Sequence, residues 1–301
     1  MSTLSDGNSY GWPAIAWTGS AAIIAAIDSG GDLHYWWQAN GTTEWHKQFV
    51  ASGLSPNVPA TIAWTGTAAV IAAVDSSGSI NYWWQANGAT QWNPQLVAQA
   101  GITVEPWEGP VSYGPPAIAA TDNYVGIVAV DSYGNVNYWQ QAMGTTPWNQ
   151  TVLLADGNNP FNNSDIASTG SSVVITAVGQ NGNLYFWSMD IFGILVQQTV
   201  GGPQGNALNE EPKIASTGSS AIIACIDSEN NVDCWRQVSG PPYFQQERVA
   251  TASGSDNYGF PAIALAGGYV LISSVDASGA VYFWGQPPGS ANWYRETVAN
   301  L

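Results

Sequence analysis

The chain has 301 residues, of which 45% are hydrophobic and only 9% are charged, and its formal net charge at pH 7 is -16. It contains five Lys and Arg residues in total, too few to bind duplex DNA or an anionic membrane surface. A neutral ligand or a cation is therefore the expected partner. Two cysteines exclude a disulfide framework.

The N-terminal residues, MSTLSDGNSYGW, have neither the basic region nor the apolar core of a signal peptide. No apolar stretch approaches the ~20 residues that a membrane-spanning helix needs. We therefore expect a protein without membrane insertion that is cytoplasmic or is released without a classical signal peptide.

One hairpin occurs six times along the chain, first at Ala21–Gln38 with the sequence AAIIAAIDSGGDLHYWWQ. Each copy has an apolar run, a bend, and a second run that carries a tryptophan. The bend is Asp-Ser-x-Gly or a variant of it, and in the fourth copy Gly179 replaces the Asp. The bend suits a type I turn followed by a left-handed residue, which is Asn230 in the fifth copy. The tryptophan follows the first bend residue at one fixed distance: Trp36, Trp83, Trp139, Trp187, Trp235 and Trp284. Such repetition predicts an array of units that are too small to fold alone.

Each repeat supplies four predicted strands. The first is short and rich in small residues, as in Pro13–Trp17, and the second is nearly all apolar, as in Ala21–Ile27. The third mixes polar and aromatic residues, as in Leu33–Gln38, and the fourth begins with an aromatic residue, as in Trp45–Val50. Small residues suit the crowded inner strand of a radial array, and tryptophans fill the space between the diverging outer strands. The sequence predicts an all-β, six-bladed β-propeller with four antiparallel strands per blade.

The repeat spacing divides the chain into blades of one predicted domain, 1–301. The first bend residues are 47, 56, 48, 48 and 49 residues apart, and the blades lie at approximately 11–57, 58–114, 115–163, 164–211, 212–259 and 260–301. The long step contains an insertion at Gly101–Ser112, and insertions in such arrays often lie on the binding face. No blade is expected to be shared between the two termini.

Cys225 and Cys234 lie on adjacent predicted strands of the fifth hairpin. A cross-strand bridge requires both side chains on one face, and a shift of one residue in register would separate them. Both a bridge and a pair of free, buried thiols are compatible with the sequence.

No catalytic constellation stands out. His34 and His46 occupy repeat positions that hold Asn or Tyr in other blades, which is typical of surface positions. The chain has no Cys/His cluster with zinc spacing and no Gly-x-Ser-x-Gly elbow. One Asp per bend is typical of a turn, whereas a Ca²⁺ site needs several convergent oxygens. The bends also differ in Asp-to-Trp distance from the Asp box of sialidases, Ser-x-Asp-x-Gly-x-x-Trp. We predict no enzyme activity, no metal and no cofactor.

Sixteen tryptophans in a weakly charged chain indicate sugar binding. The apolar face of a pyranose packs on an aromatic ring, while amides and carboxylates bind its hydroxyls. The invariant tryptophans are assigned to the core because every blade has one. Aromatic residues that vary between blades are the better ligand candidates.

Three groups of aromatic residues, with nearby polar side chains, make up the predicted site. The fourth-strand tryptophans fit either a core or a ligand role, and the tyrosines of the Tyr-Gly-x-Pro loops either line a pocket or pack under their own loop. Asp6, Asn8, Asp256 and Asn257 lie just upstream of two of these loops. The predicted ligand-binding residues are Trp37, Trp84, Trp17 and Trp64; Trp45, Trp92, Trp148 and Trp293; Tyr10, Tyr113 and Tyr258; and Gln38, Gln85 and Arg236.

The pattern Asp-x-x-Gly-x-apolar-x-aromatic-Trp-Trp resembles the repeats of bacterial and fungal β-propeller lectins over essentially the whole chain. The seven-bladed Photorhabdus-type lectins also place a Trp pair after a Gly-bearing hairpin, and the Aleuria-type fucose lectins have six blades. The resemblance implies multivalent binding of fucose- or galactose-like sugars in pockets between blades. Aleuria-type sites use an Arg and a Glu in each pocket, and here only Arg236 lies near such a position.

The sequence therefore predicts a multivalent lectin for neutral sugars on glycans or glycoconjugates, with the weakest pockets beside blade four. The first alternative is a propeller that acts as a protein-interaction scaffold. The second is a glycosidase or lyase, which would need paired carboxylates on the first strands. Those strands carry only Asp165 and Lys213 as charged residues.

Overall fold

The computed structural model describes residues 7–102, 109–142, 145, 147–153, 160–189, 194–202, 207–208, 211–218, 220–238, 244–253 and 257–299. The chain divides into two compact units, Met1–Leu153 and Leu154–Leu301. Each unit contains three four-stranded antiparallel sheets, and each sheet is formed by consecutive strands. Asp6, Asp256 and the middle of the predicted insertion, 103–108, lie outside the described residues.

The first unit holds blades one to three. Their strands are β1 (Ala14–Trp17), β2 (Ala21–Ile27), β3 (Leu33–Ala39) and β4 (His46–Ala51); β5 (Thr61–Trp64), β6 (Ala68–Val74), β7 (Ile80–Ala86) and β8 (Asn93–Ala98); and β9 (Ala117–Ala120), β10 (Tyr124–Val130), β11 (Val136–Ala142) and β12 (Asn149–Leu153).

The second unit holds blades four to six. Their strands are β13 (Phe161–Ser168), β14 (Val173–Gly179), β15 (Leu184–Met189) and β16 (Leu195–Gly201); β17 (Lys213–Ser216), β18 (Ala221–Ile226), β19 (Val232–Gln237) and β20 (Phe244–Ala250); and β21 (Tyr258–Ala266), β22 (Tyr269–Asp276), β23 (Val281–Gln286) and β24 (Tyr294–Ala299).

Two first strands are longer than their sequences predict. β13 begins at Phe161 and β21 at Tyr258, and each contains a register shift, at Phe161/Asn163 and at Gly259/Ala262. Such a bulge lets one strand carry an unpaired residue while its ladder continues. In these two blades the additional N-terminal residues of the first strand pair with the end of the second strand. The bulge then brings the predicted part of the strand into its regular register.

The bends between the second and third strands have the predicted hydrogen bonds. In blade one, Oδ1 of Asp28 accepts hydrogen bonds from the backbone N–H groups of Gly30 at 2.9 Å and Asp32 at 3.0 Å. The same pair of bonds recurs at Asp75, Asp131, Asp227 and Asp276. Asn230, which replaces the glycine in blade five, has the expected left-handed conformation with φ 61°.

Substitutions at two glycines of the first unit distinguish the effect of backbone strain from the effect of steric overlap. Gly31 and Gly41 both have left-handed φ angles, but only a Cβ on Gly31 would meet another atom, the carbonyl oxygen of Leu54 at 2.5 Å. We expect Gly41→Ala to lower the free energy of unfolding by about 1 kcal/mol and Gly31→Ala by about 2–4 kcal/mol. Urea unfolding of the two variants tests this difference, and equal losses would contradict the described packing of Leu54.

The hydrophobic core lies between neighbouring sheets within each unit. Clusters of buried residues join blades one and two, two and three, four and five, and five and six. The six invariant tryptophans are all buried, with relative exposures between 1% and 6%, and four of them, Trp83, Trp139, Trp235 and Trp284, lie in these clusters. Their predicted role in the core is confirmed, and the variable aromatic residues are left as the site candidates.

Neither cysteine forms a disulfide, and both are buried. In the β18–β19 pairing, Cys225 is opposite Asp233 and Cys234 is opposite Ala224, so the two thiols point to opposite faces of the sheet. Cys225 packs in the cluster between blades four and five, and Cys234 in the cluster between blades five and six. The register therefore excludes a disulfide bridge between the two thiols.

Candidate functional site

The first cavity of the first unit, cavity A, lies between blades one and two and has a volume of about 390 Å³. Blade one contributes Tyr35 and Trp37 on β3 and Gln48 on β4. Blade two contributes Trp64 at the end of β5, Gln85 on β7, and the turn at 87–90. Three residues predicted to bind ligand, Trp37, Trp64 and Gln85, thus meet in one cavity.

The second cavity, cavity B, lies between blades two and three and has a volume of about 550 Å³. Blade two supplies the residues that correspond in the repeat to those of cavity A, namely Tyr82, Trp84 and Gln95. Gln141 of blade three stands where Gln85 stands in cavity A. The lining also contains three hydroxyl side chains, those of Thr65, Thr67 and Thr145, and three small apolar residues. Cavities A and B are therefore lined by equivalent residues of successive repeats.

An amide pair joins the two blades in each cavity, and sequence reasoning missed three of the four glutamines. Gln85 donates a hydrogen bond to Oε1 of Gln48 at 3.0 Å, and Gln141 donates one to Oε1 of Gln95 at 2.9 Å. Sequence analysis selected Gln85 but not Gln48, Gln95 or Gln141. A signal existed, because glutamine stands at both fourth-strand positions, but the inter-blade pairing cannot be read from one sequence.

Burial stabilises the neutral form of the tyrosines in these cavities. Desolvation raises the pKa of Tyr35 to about 12, and it also raises the pKa of Tyr82. At physiological pH both side chains are protonated hydroxyls, as an unperturbed tyrosine also is, and they can donate and accept hydrogen bonds. Together with the paired amides they add neutral polar groups to each cavity beside its aromatic rings.

A third arrangement of this kind lies between blades five and six, with charged residues at two positions. Arg236 takes the place of Trp37 and Glu247 takes the place of Gln48, while Gln286 takes the place of Gln85. Arg236 donates a hydrogen bond to Oε1 of Gln286, whose amide donates to Glu247 at 3.1 Å. Nε of Arg236 is 3.9 Å from Oε1 of Glu247. Arg236 therefore does have a Glu partner, which the sequence analysis did not identify.

The fourth-strand tryptophans fill the space between blades. Each precedes its strand by one residue, and in the first unit the ring of Trp92 lies edge-on to Tyr35 with centroids 5.1 Å apart. Trp148 makes the same contact with Tyr82, also at 5.1 Å. Trp293 packs on the cluster between blades five and six. The Nε1–H groups of these three indoles are buried without a hydrogen-bond partner in the described structure.

The tyrosines of the Tyr-Gly-x-Pro loops pack against the invariant tryptophans. Tyr10, Tyr113 and Tyr258 lie edge-on to Trp36, Trp139 and Trp284, with centroids 5.1–5.3 Å apart. Each tyrosine also pairs through its backbone with the bend aspartate of its own blade. Tyr258 is only 2% exposed. These contacts place the three rings beside the bends, and none of them lines cavity A or B.

The remaining predicted residues lie outside both cavities. Trp17, at the end of β1, is 54% exposed, and Trp45 is half-buried just before β4. Gln38 is half-buried on β3. None of the three belongs to the lining of cavity A or B.

His34 is buried in the bend network of blade one, so its predicted surface position is wrong. Its Nε2 is 3.4 Å from Oδ2 of Asp28, and the ligand atoms of Asp28, Asp32 and His34 lie within 4.8 Å of one another. In blades two and three an asparagine occupies the His34 position and donates to the bend aspartate in the same way. The network thus follows the turn geometry of the repeat.

The charged residues of the first strands in the second unit are engaged with their neighbours. Oδ2 of Asp165 accepts a hydrogen bond from the backbone N–H of Ile214 at 2.9 Å, and burial raises the pKa of this carboxyl. Nζ of Lys213 is 3.1 Å from Oε2 of Glu211. Asp165 and Lys213, the charged first-strand residues considered for a glycosidase or lyase, therefore both make contacts within the protein.

No protein-family model matches this chain, and no curated protein sequence matches it. Among solved structures, a lectin from Burkholderia pseudomallei superimposes with a TM-score of 0.75 and 14% sequence identity, over 97% of this chain and 85% of that one. The six-bladed lectin of Aleuria aurantia aligns with a TM-score of 0.59 and 12% identity, over 96% of this chain and 95% of the lectin.

An enzyme also has this fold. An α-L-arabinofuranosidase from Fusarium graminearum aligns with a TM-score of 0.58 and 8% identity, over 89% of this chain and 88% of the enzyme.

In the described residues, no helix has the length and apolarity that a membrane crossing needs. The predicted fold class is confirmed: the chain is an all-β, six-bladed β-propeller with the architecture of the bacterial and fungal propeller lectins.

Proposed function

We propose that this protein is a lectin that binds neutral, fucose- or galactose-like sugars in cavities between its blades. The observation that carries the proposal is the repeated combination of an indole, a tyrosine hydroxyl and a paired amide in cavities A and B. A pyranose has one apolar face and a rim of hydroxyls, and this lining offers a surface for each.

The size and charge of the cavities support a small neutral ligand. Their volumes of about 390 and 550 Å³ fall within the range of small-molecule sites, roughly 300–1,000 Å³. Lys47 is the only charged residue of either described lining. A strongly anionic glycan would also meet the net charge of -16, which disfavours its approach.

The group of Arg236, Glu247 and Gln286 between blades five and six offers a sugar different contacts. Arg236 donates only and Glu247 accepts only, so the pair can bracket neighbouring hydroxyls as charge-assisted partners. Solved relatives of the same fold include a lectin in complex with α-methyl fucoside and an Aleuria aurantia lectin in complex with a fucosylated N-acetylglucosamine. Several sites on one chain would raise the avidity for a surface that displays many sugars.

A glycan array tests the proposal. We expect the wild-type protein to bind a set of neutral, fucose- or galactose-bearing glycans, and Trp84→Ala to weaken that binding about ten- to hundredfold at cavity B, because a buried aromatic contact is lost. Trp12→Ala is the matched control, since Trp12 is 67% exposed and lines neither cavity. Wild-type protein that binds no glycan on the array, but captures a protein partner, would favour the scaffold alternative.

A further inference from the structure

Cavities A and B are lined by equivalent residues of successive repeats. They differ in whether another ring is already stacked on the indole that a sugar would contact. In cavity A, the ring of His46 is stacked on Trp37 with centroids 4.9 Å apart and an interplanar angle of 25°. Tyr35 is stacked on the same indole at 5.7 Å and 22°. The indole of Trp37 thus has an aromatic neighbour on its own strand and another on the partner strand.

Cavity B lacks this stack. Asn93 is the cross-strand partner of Trp84, as His46 is of Trp37. The Asn93 side chain donates a hydrogen bond to the backbone carbonyl of Trp84 at 3.3 Å. Among the described residues, no aromatic ring stacks on Trp84. The Trp84 indole of cavity B therefore has ring surface available for stacking, whereas the His46 imidazole is already stacked on the Trp37 indole of cavity A.

The inter-blade amide pair is common to the two cavities. Gln48 of cavity A accepts a hydrogen bond from Gln85 and also donates one to the backbone carbonyl of Thr90 at 2.5 Å. Gln95 of cavity B accepts the equivalent bond from Gln141 at 2.9 Å. The amide pair therefore does not distinguish the two cavities.

The walls differ as well. Trp64 lines cavity A, and the equivalent residue at the end of β9 is Ala120. This difference accords with the larger volume of cavity B, about 550 Å³ against about 390 Å³. The free ring surface and the larger volume both favour cavity B.

Building on the proposed lectin function, we propose that His46 is an autoinhibitory residue that occupies the sugar-stacking surface of Trp37, so that cavity B is the working sugar site of the first unit. A sugar that enters cavity A must displace the imidazole before it can stack. The histidine thus sets which of two homologous sites binds, and the asparagine at the same position in blade two leaves its site open.

The test follows the indole N–H signals of Trp37 and Trp84 in nitrogen-15 NMR spectra during titration with α-methyl fucoside and, separately, α-methyl galactoside. Trp37→Phe and Trp84→Phe identify the two signals. In wild-type protein we expect the Trp84 signal to shift at a lower sugar concentration than the Trp37 signal. In His46→Asn, the midpoint of the Trp37 shift should fall about two- to tenfold, the factor that corresponds to one aromatic pair. Since asparagine occupies the equivalent position in blade two, this substitution is compatible with the fold.

The outcomes separate the inference from the function on which it rests. Equal midpoints for Trp37 and Trp84 in wild-type protein, or a Trp37 midpoint that His46→Asn leaves unchanged, would overturn the role of His46 while sugar binding stands. If neither signal shifts with either sugar, and the array is also negative, both the inference and the proposed lectin function are wrong.

Discussion

Replacing Arg248 with leucine is expected to lower the free energy of unfolding by about 3–5 kcal/mol at neutral pH. The Arg248 guanidinium is 2.6 Å from Oδ1 of Asp233 and 3.0 Å from Oδ2 of Asp227. Both carboxylates have side-chain exposures of 1%, whereas the arginine reaches solvent. Loss of the arginine leaves two buried negative charges without their cation, and this uncompensated burial is the source of the large effect.

The same variant should recover stability in acid. Burial raises the pKa of Asp233 above its ordinary value of 3.8, and Arg248 opposes that rise. A raised pKa means that the folded protein holds its proton to a higher pH than the unfolded chain does. The contribution of Asp233 to stability is thus greatest at low pH and declines as the pH rises from 3.8 to the folded-state pKa. Without Arg248 that pKa rises further, so the deficit should shrink as the pH falls.

Urea unfolding at several pH values between 4 and 8 measures this effect. Arg295→Leu is the control, because it removes the same charge from an exposed side chain that lies over the Tyr282 ring at 4.3 Å. Its cost should stay below about 1 kcal/mol. A deficit for Arg248→Leu that does not depend on pH would rule out the buried carboxylates as its cause.

Trp139→Ala is expected to destabilise the first unit by about 3–5 kcal/mol. Trp139 is 1% exposed and belongs to the cluster between blades two and three, where Tyr113 packs against its ring at 5.3 Å. Truncation leaves a large cavity in that interface, and sugar binding in cavity B should weaken along with it.

Chemical unfolding, followed by the loss of near-ultraviolet circular dichroism, compares Trp139→Ala with Trp12→Ala. Trp12 is 67% exposed, so its replacement should change the free energy of unfolding by less than about 0.5 kcal/mol. If both variants unfolded at the same denaturant concentration, the assignment of the invariant tryptophans to the core would be incorrect.

The repeat is the reason that the fold can be predicted from the sequence. A bend and a tryptophan at one fixed spacing identify six hairpins, and the structure has six four-stranded sheets with these tryptophans buried. The turn geometry also follows locally, because an Asp at the first bend position captures amides two and four residues on. These features depend on near neighbours in the chain.

The parts of the site that were missed depend on register and on contacts between blades. The stack of His46 on Trp37 requires the pairing of β3 with β4, which the repeat pattern alone does not fix. The Gln95–Gln141 bond joins residues of two different blades, and so does the Arg236–Glu247–Gln286 group. Whether two side chains meet across such an interface depends on how the sheets pack.

A crystal structure of the protein with a glycan selected on the array is the most direct test of the central claim. The predicted result is a sugar in cavity B, with its apolar face on the indole of Trp84 and a hydroxyl that accepts a hydrogen bond from the amide of Gln95. A sugar bound only at a position away from these two side chains, with cavities A and B both empty, would contradict the account.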